Sequence, residues 1–285
     1  MNVTLRRGTR EDAPTCGPIC YAAFKAIADQ HNFPPDFPSP EIATTLVSDL
    51  LAHPEVYGVV AELDGHVVGS NFLDERSIIA GIGPIMVDPA VQNRAVGRAL
   101  MQHVLERVAQ QRFPGVRLVQ AAYHNRSLSL YTKLGFVARE PLSTIQGPAL
   151  TVQIPGYPVR PATENDLDAC TQVCRRVHGH DRRGELRDAV KQGTATVVKH
   201  GDRITGYATA VAFFGHAVGE THEEIKALIG AASAFPGPGF LLPTRNGELF
   251  RWCLEHGLQV VQPMTLMSVG LYNEPAGAFL ASVLY

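Results

Sequence analysis

The sequence lacks most of what would commit it to a membrane, a nucleic acid or a disulfide framework. No run reaches the roughly 18 consecutive apolar residues that a spanning helix requires. The N-terminal stretch has no apolar signal-peptide core and opens on the strand-like Val3-Thr4-Leu5-Arg6, so a cytoplasmic location is the expectation. An excess of charge of one sign is also missing. The 25 Lys and Arg residues face 27 Asp and Glu, a formal net charge of −2, which offers no bulk attraction to nucleic acid or to an acidic membrane surface. Cysteine is scarce and odd in number: Cys16, Cys20, Cys170, Cys174 and Cys253. An odd count in a chain of this kind argues against disulfides. Each pair spaced by four could share a helix face, but the turn residues that usually accompany a thiolate metal site are absent, so no metal is expected. Small buried hydrophobes are the simpler role for these thiols.

What is present is globular. The 285 residues are about twice the length of a usual domain, which makes two domains the prior. Hydrophobic residues at 45% against charged residues at 18% can fill sizeable cores. The most informative stretch is Pro84 to Val108. Ile85, Met86 and Val87 read as the end of a buried strand, and Asp88-Pro89 stops it. Val96, Leu100, Val104 and Val108 then recur every four residues, with Leu105 beside them, giving one apolar helical face. Between strand and helix lies Gln92-Asn93-Arg94-Ala95-Val96-Gly97. The first N–H groups of a helix lack intrahelical partners, and the helix dipole adds partial positive charge there. Small residues let a ligand approach the backbone, so the turn is a candidate phosphate site, with Arg94 and Arg98 adding fixed positive charge.

Gln92-x-x-Ala95-x-Gly97 resembles the Q/R-x-x-G-x-G/A loop with which the GCN5-related N-acetyltransferases (the GNAT family) cradle the pyrophosphate of acetyl-CoA. The preceding Ile85-Met86-Val87-Asp88-Pro89 fits the family's strand. Ala95 departs from the usual glycine; read as a helical residue, alanine carries no strain, while its methyl crowds the phosphate. A second resemblance follows in family order: Asn125-Arg126-Ser127-Leu128-Ser129-Leu130-Tyr131-Thr132-Lys133-Leu134-Gly135-Phe136 is similar to N-x-x-S-x-x-L-Y-x-K-L-G-F. Asn125 reads as a helix N-cap and Gly135 as a C-cap.

The remaining elements are consistent with that fold. Strands are expected at residues 3–7, 56–63, 67–73, 116–122, 136–140 and 149–154, the last closing the sheet, with a hairpin turn at Asp64-Gly65. Helices are expected from Thr9 onward and over 41–51. The proline-rich Phe33-Pro34-Pro35-Asp36-Phe37-Pro38-Ser39-Pro40 must be a loop, its two phenylalanines packing on the body or lining a pocket. After Pro155-Gly156-Tyr157-Pro158 the chain begins again. Arg6, Thr9, Asp12, Cys16 and Cys20 recur at a constant offset of 154 as Arg160, Thr163, Asp166, Cys170 and Cys174, an internal duplication. The second copy has no Q-x-x-G-x-G/A loop between Phe214 and Phe240, and Cys253 falls where Tyr131 would be. His178-Gly179-His180-Asp181 reads as a solvated polar loop.

The expectation is therefore an α/β protein with mixed α+β sheets, built as two tandem GNAT-like domains of the acyl-CoA N-acyltransferase fold. Residues 1–154 would be the catalytic domain and 159–285 a degenerate one. The resemblance implies acetyl transfer from acetyl-CoA to a primary amine of a small molecule or peptide, in a ternary complex, with a homodimer as a further possibility; a non-catalytic CoA sensor or scaffold is the competing class. It implies Tyr131 as the acid that protonates the leaving thiolate. Ile85, Met86 and Val87 would lie along the pantetheine arm, Gln92 to Arg98 at the pyrophosphate, and Asn125 against CoA. The base is least defined. No acid lies between Ala80 and Val87, so Glu75 is the nearest choice, with Asp74 and His124 behind it.

Overall fold

The computed structural model describes residues 3–284; residues 1, 2 and 285, the outer edges of the two expected domains, lie outside it. The first half runs β1 (Val3–Arg7), α1 (Ala13–Gln30), α2 (Pro40–Ala52), β2 (Val56–Leu63), β3 (His66–Asp74), β4 (Ala80–Ile82), β5 (Met86–Val87), α3 (Val96–Gln110), β6 (Gly115–Ala121), α4 (Asn125–Lys133) and β7 (Val137–Gln146). The second half runs β8 (Val159–Pro161), α5 (Leu167–His178), α6 (Arg183–Gln192), β9 (Thr196–His200), β10 (Arg203–Ala208), β11 (Ala217–Gly219), α7 (His222–Ala231), β12 (Phe240–Pro243), α8 (Gly247–Glu255), β13 (Gln259–Gly270) and β14 (Ala278–Leu280).

Local chemistry accounts for the main boundaries. Asp64 and Gly65 both take positive φ, as a tight two-residue hairpin between twisted strands requires. The face of α3 formed by Val96, Leu100, Val104 and Val108 is buried against β2, β3 and β6, which is the dominant apolar burial of the first half. The duplication is visible in atomic detail. Arg6 pairs with Asp12 at 2.7 Å, and Arg160 pairs with Asp166 at 2.7 Å. In both copies the aspartate also accepts the threonine N–H three residues earlier, at 2.8 Å, fixing the start of α1 and of α5 alike. All five cysteines are free and buried.

Three sequence expectations are corrected. Residues 149–154 form no strand; their place in the sheet is taken by β13 from the second half, whose longer apolar edge pairs with β6 on one side and β7 on the other. β7 in turn pairs with β12. The order among the described residues is β1-β2-β3-β4-β6-β13-β7-β12, with β5 on β3, and a second sheet β14-β11-β10-β9-β8. The halves thus exchange strands, and the linker at 155–158 divides the chain without dividing the sheet. Ile204 to Phe214 reads in the sequence as one strand of a hairpin around Gly201-Asp202; the strand ends at Ala208, and Phe213 and Phe214 fall in the loop beyond it. His178 and His180 are not solvated: both are buried, and His178 lies 3.1 Å from the buried His216, ring nitrogen to ring nitrogen.

Candidate active site

The sheet of the first half opens where β4 gives way to β5. β4 pairs in parallel with β6 through Ala80–Val116 and Gly81–Arg117. Four residues beyond Ile82 β5 begins and pairs only with β3, while β6 from Leu118 onward keeps only its pairing with β13 on the opposite edge. The strands diverge, and a cavity of about 550 Å³ occupies the gap. Its walls are Ile82 to Val87 on one side and Leu118 to Ala121 on the other. One end reaches Gln92, Asn93, Ala95, Gly97 and Arg98 at the start of α3. The other reaches α1, the 33–40 loop and Phe213, Phe214, Met264, Val283 and Leu284 of the second half.

The α3 end is built to receive an anion. Asn93 and Ala95 hold left-handed backbone conformations, φ +69° and +62°, and Val96 is the first helical residue. Ala95 is therefore not the strain-free helical alanine expected from the sequence. It caps the helix in a region where a Cβ costs roughly 1–2 kcal/mol, which is why glycine is the natural residue there. The first turn of α3 carries no acidic residue. A Cβ on Gly97 would meet only Val87 Cγ2 at 3.7 Å and Leu130 Cδ2 at 3.9 Å, ordinary van der Waals contacts that leave the backbone uncrowded. The loop is held from below by hydrogen bonds. Gln92 Nε2 donates to the Val87 carbonyl at 3.3 Å, and Arg126 donates to Gln92 Oε1 at 2.9 Å and to Asn93 Oδ1 at 3.2 Å.

Of the residues expected at the site, Ile85, Met86, Val87, Gln92, Asn93, Ala95, Val96, Gly97, Arg98 and Tyr131 line this one cavity. Tyr131 is buried on α4, and burial pushes its phenol well above the ordinary range, so it is protonated at neutral pH. Three residues stand elsewhere. Arg94 is exposed at the loop but does not line the cavity. Asn125 is exposed and makes no capping bond; His124 occupies the N-cap position. Glu75 is outside the cavity and is consumed by Arg107, which donates to its two oxygens at 2.6 and 2.8 Å. A carboxylate held in that bidentate pair is a structural anchor for α3, not a free proton acceptor.

Two cavity residues, Asp36 and Tyr123, were passed over in the sequence. Asp36 sits in the 33–40 loop and is the one carboxylate among the described residues lining the cavity. Its Oδ1 accepts from Gln262 Nε2 at 2.9 Å, and Gln262 Oε1 accepts from Tyr123 at 2.9 Å. The available signal was an acid between two phenylalanines in a proline-rich loop. Phe33 stacks on Tyr123 at 4.2 Å and Phe37 meets Phe24 edge-on at 5.7 Å, so the loop is pinned by both.

The second half lacks the same opening. β11 is paired by β14 over Ala217–Gly219, and β14 continues to β12 through a Leu241–Ala281 bridge, closing the equivalent gap. The N-terminus of α7 is already satisfied by its own side chains: Thr221 N donates to Glu224 at 2.8 Å, and Glu223 and Glu224 place negative charge in the first turn.

Residues 24–136 match the model of the acetyltransferase (GNAT) family. Solved structures similar along nearly the whole chain include a candidate acetyltransferase of Pyrococcus horikoshii (18% identity, covering 97% of this chain and 94% of that one, TM-score 0.75). A GCN5-related N-acetyltransferase of Sphaerobacter thermophilus (15%, 95% and 96%, 0.62) and a tandem GNAT protein from the clavulanic acid biosynthesis pathway (13%, 94% and 98%, 0.57) are similar too. At these identities the likeness is one of fold. No curated protein matches the chain.

Proposed function

With a GNAT-family domain at residues 24–136 inside a tandem GNAT fold, we propose that the chain is an acetyl-CoA-dependent N-acetyltransferase acting on a primary amine. The observation that carries this reading is a single cavity that joins the anion-receptive start of α3, the diverging strands β5 and β6, and the buried Tyr131. The pyrophosphate would lie against the N–H groups around Ala95 to Gly97, next to Arg98. The pantetheine arm would run along Ile85 to Val87, whose outer edge β6 leaves open. The amine, once neutral, attacks the thioester carbonyl; the C–N bond forms, the C–S bond breaks, and Tyr131 supplies the proton to the leaving thiolate. Residues 1–154 carry the acetyl-CoA machinery in this reading. Residues 159–285 serve it by strand exchange and by closing the acceptor end of the cavity.

The test is calorimetry with acetyl-CoA followed by thiol release in the presence of amines. Binding with amine-dependent release of CoA supports the assignment. Binding without turnover across a broad amine panel would favour the non-catalytic acyl-CoA-binding alternative, and absence of binding would reject both.

A further inference from the structure

The acceptor end of the cavity is mostly apolar, with Tyr123 and His124 among its few polar groups, and it contains one carboxylate held by the other half of the chain. We propose that Asp36 is the proton acceptor for the incoming amine, and that the amine is a primary ammonium carried on an apolar body. The inference rests on the transferase reading above and specifies its acceptor.

With Asp36, this end is lined by Phe24 and Ile27 of α1, Phe213 and Phe214, Met264 and Leu284. A polyamine or an amino sugar entering here would leave several polar groups desolvated and unpaired. An aryl- or alkyl-substituted amine would bury its body against these side chains and present one charge. Asp36 is placed to meet that charge. Oδ1 is taken by Gln262, and Oδ2 accepts no hydrogen bond among the described residues. Gln262 is itself buried and fixed by Tyr123, so the carboxylate is oriented by a Tyr123–Gln262–Asp36 chain that joins both halves.

The other titratable groups at this end are less suited. Burial, reinforced by Arg126 and His31, lowers His124 to about 4, so it stays neutral and is a weak acceptor. Burial pushes the Tyr123 phenol up to about 12. Arg98 and Arg126 belong to the loop end. Burial raises the Asp36 carboxyl above its ordinary range, and the Gln262 hydrogen bond opposes this. A base with a raised pKa in an apolar pocket is better matched to an ammonium than an exposed carboxylate. In the step itself the ammonium N–H proton passes to Asp36, the freed lone pair attacks the thioester carbon, and the C–S pair departs on sulfur. The thiolate takes a proton from Tyr131, and the second amine proton passes to solvent water as the tetrahedral adduct collapses to the amide. Solvent then takes the proton from Asp36 and restores that of Tyr131.

The experiment compares 2-phenylethylamine with spermidine and kanamycin as acceptors, in wild type, Asp36→Asn and Gln262→Met, with acetyl-CoA binding measured in parallel. The expected result is a kcat/KM for phenylethylamine at least tenfold above the polar amines. Asp36→Asn should lower it by on the order of 10²-fold, abolish the acid limb of its pH profile and leave acetyl-CoA affinity intact. Gln262→Met, by removing a hydrogen bond that stabilises the carboxylate, should move that limb to higher pH. A preference for the polar amines, an undiminished Asp36→Asn, or an unmoved limb in Gln262→Met would each overturn the assignment while leaving the transferase reading standing. Wild type that fails to bind acetyl-CoA would overturn that reading, and this one with it.

Discussion

Arg245, in the turn after β12, donates from Nε to both carboxylate oxygens of Glu140 on β7, at 2.9 and 2.7 Å. Glu140 is fully buried, whereas the Arg245 side chain is 57% exposed. The pair sits where a strand from the first half meets one from the second, so it fixes the register of the exchange. Burial alone raises the Glu140 carboxyl, and Arg245 opposes that rise. Arg245→Leu should therefore strand a buried charge. Solvent screening of the arginine tempers the loss, which is expected to be about 1–3 kcal/mol by urea unfolding at pH 7. The loss should shrink at low pH, as Glu140 becomes protonated; a loss independent of pH would mean that the charge is not what matters.

The loop at the start of α3 gives a pair of opposite expectations. Gly97→Glu adds a Cβ that makes only ordinary van der Waals contacts but places a carboxylate where the pyrophosphate would lie, so acetyl-CoA binding by calorimetry should fall at least tenfold with the thermal midpoint held. Ala95→Gly relieves a left-handed alanine and should raise stability by up to about 1 kcal/mol, without loss of affinity. Unchanged binding in Gly97→Glu would remove the loop from the site.

Tyr131 is protonated, buried and within the cavity, as an acid for the leaving thiolate must be. Tyr131→Phe should lower kcat by on the order of 10²-fold with little change in acetyl-CoA affinity. Equal kcat in the two proteins would show that water delivers the proton and that the ring only packs against Phe136.

Much of this site was legible because its parts are local. Gln92 to Gly97 and Asn125 to Phe136 are each contiguous, so spacing alone marked a loop before a helix and a short helix carrying Tyr131, though not its cap. The duplication was legible for the same reason: Asp12 and Asp166 each bond to an arginine six residues back. What escaped depends on distant partners. Glu75 looked available until Arg107, 32 residues on, met it in the fold. Asp36 looked like a loop residue because Gln262 is 226 residues away. The β13 exchange was hidden because an apolar strand does not encode which edge it will join, and 149–154 was an equally apolar candidate for that place.

The buried His178–His216 pair predicts acid sensitivity. Burial, with Arg117 and Arg182 nearby, holds both rings well below the ordinary histidine range. Unfolding lets them titrate near about 6.5, so the unfolded chain binds more protons below that pH. The stability they contribute is full above pH 6.5 and declines as pH falls, by about 1.4 kcal/mol per pH unit for each histidine. A thermal-unfolding series from pH 7.5 to 5 should show this slope. Replacing both rings together (His178→Leu with His216→Leu) should reduce it, leaving the share of His124 and His180, which burial also lowers; an equal slope in the double variant would place the acid sensitivity elsewhere.

The two halves differ most at the starts of their third helices, and this difference predicts the binding stoichiometry. At α3 the backbone N–H groups face a cavity, with Gly97 uncrowded and Arg98 beside it. At α7 the corresponding groups are met by Thr221 and Glu224, two glutamates repel phosphate, and β14 fills the gap that β5 and β6 leave open in the first half. Anion affinity at a helix start requires both free donors and an approach path, and the second half has neither. Titration should therefore give one acetyl-CoA per chain, abolished by Gly97→Glu. Thr221→Ala with Glu224→Ala frees the donors of α7 yet leaves β14 in place, so it should not create a second site. A stoichiometry of two in wild type would mean that the second half retains an acyl-CoA site despite its filled junction.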